Sequence, residues 1–172
     1  TALACLLIVP ALAWLPAPDT SPLTKSGAPM HDNPPSPLFL RLFMAAYFCA
    51  GFGFVTSATF IVAILVKLPL LAGKGSWVWV IVGLAAAPSG FVWDRVAHAL
   101  GRIQALMIAY GLQVVSIVLP AFTDSAALNV VGALLFGATF VGIVSLTLTI
   151  VGRHFPANPA KAMAKMTLSY GV

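Results

Sequence analysis

Residues 125–152 read SAALNVVGALLFGATFVGIVSLTLTIVG, 28 positions without a single Asp, Glu, Lys or Arg. A helix of about 20 apolar residues crosses a bilayer core of about 30 Å, so this stretch can span a membrane with a turn or two to spare. Outward from it, residues 103–123, 75–93 and 42–66 form further charge-free runs of 21, 19 and 25 residues. Another uncharged run covers residues 1–18, and an apolar stretch from Met166 closes the sequence. Membrane β-strands alternate in polarity over about 10 residues, and these runs do not, so they read as helices. Composition points the same way. Of 172 residues, 60% are hydrophobic and 8% are charged, whereas an ordinary soluble domain carries about 25% charged residues. Such a chain cannot cover itself with a water-facing surface, which excludes a soluble globular domain, a disordered tail and a disulfide-stapled secreted module. The expected fold is an all-α membrane protein with four complete transmembrane helices and a partial one at each end.

Thr1 opens inside an apolar segment, and residues 1–18 hold no basic residue of the kind that begins a signal peptide. The chain therefore reads as an internal piece of a longer membrane protein. Its connections fall at residues 18–40, 67–75, 94–102, 123–125 and 153–161. The first, third and fifth, with the helix ends beside them, hold Lys25, Arg41, Arg95, Arg102, Arg153, Lys161 and Lys165. The second and fourth hold only Lys67 and Lys74. Basic residues concentrate on the cytoplasmic side of membrane proteins, which predicts that residues 18–37, 94–102 and 153–161 are cytoplasmic. The net charge of +5 then reflects topology and anionic headgroups. No basic stripe interleaves with exposed aromatics, so the bilayer is an expected partner and nucleic acid is not.

Few residues could carry chemistry. The acidic residues are Asp19, Asp32, Asp94 and Asp124, with no Glu, and no two share a helix as an acid–base pair. Cys5 and Cys49 lie in apolar runs and are expected to pack as small hydrophobes. His31, His98 and His154 fall in three different connections, without partners at i,i+4 for metal ligation. No Gly-rich phosphate loop follows a strand. The expectation is no enzyme activity, no metal and no cofactor. No ionisable side chain lies deep in a complete span either, where it would be costly to keep without a use. A proton carrier or counter-ion would have to lie outside this sequence.

Residues 16–37 break the pattern with seven prolines among Asp, Ser, Thr and Asn, and form the one connection long enough to link two bundles. The other loops are short, which predicts antiparallel neighbouring helices. Ala45, Cys49, Gly53 and Ser57 make a four-residue stripe of small side chains, repeated by Ala86 and Gly90 and by Ala138 and Gly142. Such stripes let helices approach closely in lipid, where dispersion rather than the hydrophobic effect drives packing. Polar residues also fall on faces: Thr56 and Thr59 in one span, which also holds Tyr47, then Tyr110, Gln113 and Ser116 in another, and Gly142, Ser145, Thr149 and Gly152 in a third. Isolated Ser and Thr can satisfy themselves on the carbonyl four residues back, whereas Gln113 needs a protein or water partner. Tyr47, Thr56, Thr59, Gln113, Ser145 and Thr149 are thus candidates either for interhelical bonds or for lining a solute pathway.

The most specific motif is Pro88-Ser89-Gly90-Phe91-Val92-Trp93-Asp94-Arg95, followed by Val96-Ala97-His98-Ala99-Leu100-Gly101-Arg102. A Gly, three residues, Asp-Arg and a closing Gly-Arg resemble the cytoplasmic loop signature of the major facilitator superfamily. That signature leaves one residue between Asp-Arg and Gly-Arg, and this sequence leaves five, which reads as an insertion of about one helical turn. Tyr47-Phe48-Cys49-Ala50-Gly51-Phe52-Gly53-Phe54 with Ala58-Thr59-Phe60, and the region from Gln113 to Pro120, resemble the bacterial YbfB/YjiJ-like branch.

The resemblance implies a major-facilitator-type helix bundle, here a partial C-terminal six-helix half. Residues 1–17 would end helix 6 and 18–37 form the loop between halves. Residues 38–66, 76–93, 103–121 and 127–152 would be helices 7 to 10, and 162–172 the start of helix 11. It further implies secondary active transport of a small solute across the bacterial inner membrane by alternating access, in partnership with an N-terminal half. Gly90, Asp94, Arg95, Gly101 and Arg102 would form a cytoplasmic gating motif, with the solute site near the midplane. The competing reading is a helical membrane subunit with a structural or scaffolding role.

Overall fold

The computed structural model describes residues 31–65, 75–122 and 125–171. The expected helix at residues 1–17, most of the Pro-rich connection and the second connection lie outside the described residues. Beyond residues 31–36 the described chain is a series of helices with short joints: α1 (Pro37–Leu65), α2 (Gly75–Ala86), α3 (Ser89–Leu100), α4 (Arg102–Phe122), α5 (Ala126–His154) and α6 (Pro159–Gly171). Four stretches are long and apolar enough to cross a bilayer: Pro37–Phe60, Trp77–Leu100, Arg102–Pro120 and Ala126–His154. Helix is the outcome that membrane physics requires, because a segment without water must satisfy its own backbone groups. Large side chains such as Phe52, Phe60, Leu84, Met107 and Leu168 face outward, where lipid replaces water.

Local signals set the helix starts. At α1, Ser36 Oγ accepts a hydrogen bond from the Phe39 amide at 3.3 Å, and Pro37 takes the first helical position, where its missing N–H costs nothing. At α6 Pro159 again takes the first helical position, and the Ala162 amide is bonded to the Asn158 backbone carbonyl. Arg153 and His154 occupy the last turn of α5, opposite in sign to the helix end they cover.

Two boundaries differ from the sequence reading. The span expected over residues 76–93 is interrupted at Ala87 and Pro88, because Pro88 has no N–H to continue the ladder. Beyond that kink the helix does not stop at Trp93. It runs on to Leu100, so residues 94–100, read as connection, are α3 itself. The α3–α4 joint shrinks to Gly101, whose φ of 97° and ψ of 150° lie in a region open essentially to glycine alone. The five residues between Asp94-Arg95 and Gly101-Arg102 form the last turn of α3.

Helix α5 is the hub. Its first half packs Ala133 and Phe136 against Val78 and Val82 of α2. Its second half meets Trp93 and Ala97 of α3, Ala105, Leu106 and Ala109 of α4, and Met166 of α6 through Ile143, Leu146, Ile150 and Val151. Gly137 lets α2 approach until the Val82 carbonyl lies where a Cβ would sit. Helix α1 packs chiefly on α6. There Gly51 lies under the Tyr170 carbonyl, and the Tyr47 and Tyr170 rings meet at 4.7 Å. The stripe Ala45, Cys49, Gly53, Ser57 is therefore not the packing face of α1: Ala45 and Cys49 are exposed, nothing approaches a Cβ at Gly53, and only Ser57 is buried. The face that packs is offset from it and centred on Tyr47, Gly51 and Phe54.

Candidate functional site

Helix α3 has two faces four residues in step. Ser89, Trp93 and Ala97 are buried, and the Trp93 indole N–H donates to the Ala138 carbonyl of α5 at 2.7 Å. The indole lies flat over Gly142, where any Cβ would overlap it. That fixes α3 rotationally and turns Asp94 and Arg95 out of the bundle, both exposed. Each contacts only its own helix among the described residues. Asp94 Oδ2 lies 3.6 Å from His98 Nε2, one turn on, and the Arg95 guanidinium stacks over the Phe91 ring at 4.4 Å. His98 therefore does have an i,i+4 partner, a carboxylate rather than a second metal ligand, which a search for paired histidines passes over. Gly90 sits on the same outward face with open space beside it, and Arg102 begins α4 immediately after Gly101.

The six candidate pathway residues separate into three places. Tyr47 is buried in the α1–α6 contact. Gln113 is buried between α4 and α5, where its carboxamide accepts a hydrogen bond from Thr139 Oγ1; the same hydroxyl lies 2.7 Å from the Leu135 carbonyl. Thr56, Thr59, Ser145 and Thr149 are exposed. Thr56, Thr59 and Thr149 each donate to the carbonyl four residues back, at 3.0, 3.1 and 2.8 Å. No hydrogen bond joins the α1 pair to the α5 pair among the described residues.

Sequence reasoning missed several polar positions. Thr139 was off every stripe because its partner Gln113 lies 26 residues away in the chain. Thr147 and Ser89 are buried with no hydrogen-bond partner for their hydroxyls among the described residues, and a threonine's own carbonyl bond is too common in helices to flag its absence. Tyr170, beyond the last predicted full span, completes an aromatic cluster with Tyr47 and Phe54. No group of three His, Cys, Asp or Glu converges to hold a metal among the described residues.

Comparison with known proteins bears on the identity directly. No curated protein and no solved structure matches the chain significantly. The family described as uncharacterised MFS-type transporter YbfB matches residues 1–172, the whole sequence. The chain belongs to that family of the major facilitator superfamily, as a multi-pass membrane protein.

Proposed function

We propose that this chain forms one half of a secondary transporter that moves a small solute across the bacterial inner membrane by alternating access. The bundle rocks against a second bundle, and the α3–α4 corner is part of the gate between them on the cytoplasmic side of the membrane, the side to which residues 18–37 and 153–161 also belong. The observation that carries this reading is the orientation of α3. Trp93 anchors one face to α5, and Asp94 and Arg95 leave the bundle on the other. Their only partners among the described residues are His98 and Phe91 on the same helix. An exposed carboxylate next to a guanidinium is suited to capping a helix N-terminus or pairing with an Arg on a facing bundle, and to releasing it when the bundles part. Gly101 supports the gate by joining α3 to α4 without slack, and Arg102 places a second cation at the joint.

The exposed hydroxyls of Thr56, Thr59, Ser145 and Thr149 serve as pathway lining. A threonine that has donated its proton to its own backbone still offers oxygen lone pairs to a polar solute. Gln113 and Tyr47 hold the wall from behind. In the complete transporter, Asp94→Asn is expected to lower flux at least tenfold while membrane insertion and abundance stay normal. The measurement is uptake and efflux of a broad solute panel in cells expressing wild type or variant. Wild-type flux in the variant would sink the gating role. If the wild type moves no solute from the panel, the structural-subunit reading gains instead.

A further inference from the structure

Where α1 and α6 begin and α5 ends, the surface opens into a pocket of about 320 Å³. Its floor is apolar, built from Leu40, Met44, Val151, Phe155 and Met166, and its rim carries Asp32, Asn158, Lys161 and Lys165. The two lysines are four residues apart in the first turns of α6 and so share one face. No acidic residue occupies the first turn of α6, which leaves the positive end of the helix uncompensated. Among the described residues neither lysine is ion-paired; Asp94 and His98 form the salt bridge present there. Asp32 is already engaged: its Oδ1 accepts the Ala157 amide at 2.9 Å. Beside it, the Asn33 amide donates to the His154 carbonyl at 2.9 Å. These bonds pin the segment before α1 to the α5–α6 turn, so the pocket wall is fixed rather than draped.

An apolar floor under a cationic rim, at the level where three helices reach the membrane boundary, fits an amphiphile better than a water-soluble ion. The charges specify which one. Lys161, Lys165 and Asp32 sum to +1, and a single phosphodiester neutralises that sum. A zwitterionic headgroup brings its own ammonium and leaves the excess unbalanced. We propose that this pocket binds an anionic phospholipid, with its phosphate between Lys161 and Lys165 and the upper part of its acyl chains over Leu40, Met44 and Met166. The site is independent of the transport reading, because it needs only a membrane-inserted chain, and loss of gating at Asp94 would not touch it.

The test is native mass spectrometry of the detergent-purified full chain titrated with phosphatidylglycerol or phosphatidylcholine. Wild type is expected to hold one phosphatidylglycerol in preference to phosphatidylcholine. A lysine near an anionic headgroup is worth roughly fivefold in binding, so Lys161→Gln with Lys165→Gln should weaken phosphatidylglycerol by roughly 25-fold. The double arginine variant at the same positions should retain the preference, and Arg153→Gln, which removes one positive charge outside the pocket, should leave it unchanged. Equal binding of the two lipids by wild type, or an undiminished preference in the double glutamine variant, overturns the proposal. So does a roughly fivefold loss in Arg153→Gln, as large as one pocket lysine is worth, which would mark a general surface attraction. Displacement of the lipid by millimolar inorganic phosphate would assign the site to a soluble phosphate compound instead.

Discussion

Helices α1 and α5 are each 29 residues long and carry no acidic residue, yet half of the apolar window of α5 is buried in the bundle and only 11% of that of α1. Hydrophobicity does not separate them, since lipid accepts either. Glycine spacing does. Gly132, Gly137 and Gly142 of α5 are five residues apart, and five residues turn a helix by about 140° beyond a full circle. The three glycines therefore face three neighbours. Gly132 lies against the Ser116 carbonyl of α4, Gly137 against the Val82 carbonyl of α2, and Gly142 under the Trp93 ring of α3. On α1 the small residues step by four, keep to one side, and meet nothing at Gly53. A four-residue stripe offers one seam to one partner, whereas a five-residue stripe makes a hub.

The largest effect that can break this comparison comes from adding one methyl group to each helix. Gly137→Ala drives a Cβ into the Val82 backbone, which cannot swing aside, and is expected to cost about 3 kcal/mol as α2 and α5 are forced apart. Gly53→Ala meets open space and should change stability by less than about 1 kcal/mol, in the favourable direction because alanine is the better helix former. Equilibrium unfolding in mixed detergent–SDS micelles measures both. Equal losses at the two positions would mean that α1 is as closely surrounded as α5.

Thr→Val substitutions sharpen the contrast within α5 itself. Thr139→Val removes the partner of the buried Gln113 carboxamide and should cost about 1 kcal/mol, toward the upper part of the range for interhelical hydrogen bonds in membranes. Thr147 is fully buried and its hydroxyl has no hydrogen-bond partner among the described residues. Replacing it by the similarly shaped valine removes an unsatisfied polar group, so Thr147→Val is expected to stabilise the protein by up to about 1 kcal/mol. The same unfolding assay reads both signs. Destabilisation at Thr147 would show that its hydroxyl has a partner in the folded protein.

Trp93→Phe has a smaller effect. It keeps a ring over Gly142 and loses only the indole bond to the Ala138 carbonyl, which the helix ladder can still satisfy. About 0.5 kcal/mol is expected. A loss several times larger would mean that the hydrogen bond, rather than the ring, holds α3 in its rotation.

How far the sequence could reach follows from what each feature depends on. Span positions depend on local composition, and the charge-free runs placed both ends of α4 and α5 and the end of α1 within a residue or two, whereas α1 begins five residues before its run because it includes Arg41. Helix starts at Ser36-Pro37 and Asn158-Pro159 are local chemistry and equally readable. The end of α3 was not readable in the same way. Asp94 and Arg95 mark the point where a helix leaves lipid, but charge does not stop a helix, and the stop came seven residues later at Gly101. The hub and the polar pairs depend on contacts between residues far apart in sequence. Gln113 declared a need for a partner without saying which, and nothing near Thr139 named it. Gly51, not the more regularly placed Gly53, met a neighbour because α6 supplied a carbonyl there. For the proposed gating motif, residue types and spacing were legible, whereas the outward direction of Asp94 rests on Trp93 and Gly142, two residues in different helices.

The smallest expected change in stability belongs to Thr56→Val combined with Thr59→Val, and it bears most directly on the open face of α1. Both side chains are exposed, and each hydroxyl is spent on a carbonyl of its own helix, so their loss should alter unfolding by less than about 0.5 kcal/mol. A helix face that merely touches lipid would tolerate the change in function as well, since valine is the better residue for lipid. A face that lines a solute pathway would not, because two oxygen acceptors disappear from its wall while its shape is kept. Unchanged stability with a reduced rate of solute movement in the complete transporter would separate the open face of α1 from the rest of the lipid-facing surface. Unchanged stability with unchanged flux would return Thr56 and Thr59 to lipid, and leave Ser145 and Thr149 of α5 as the polar lining on this side of the pathway.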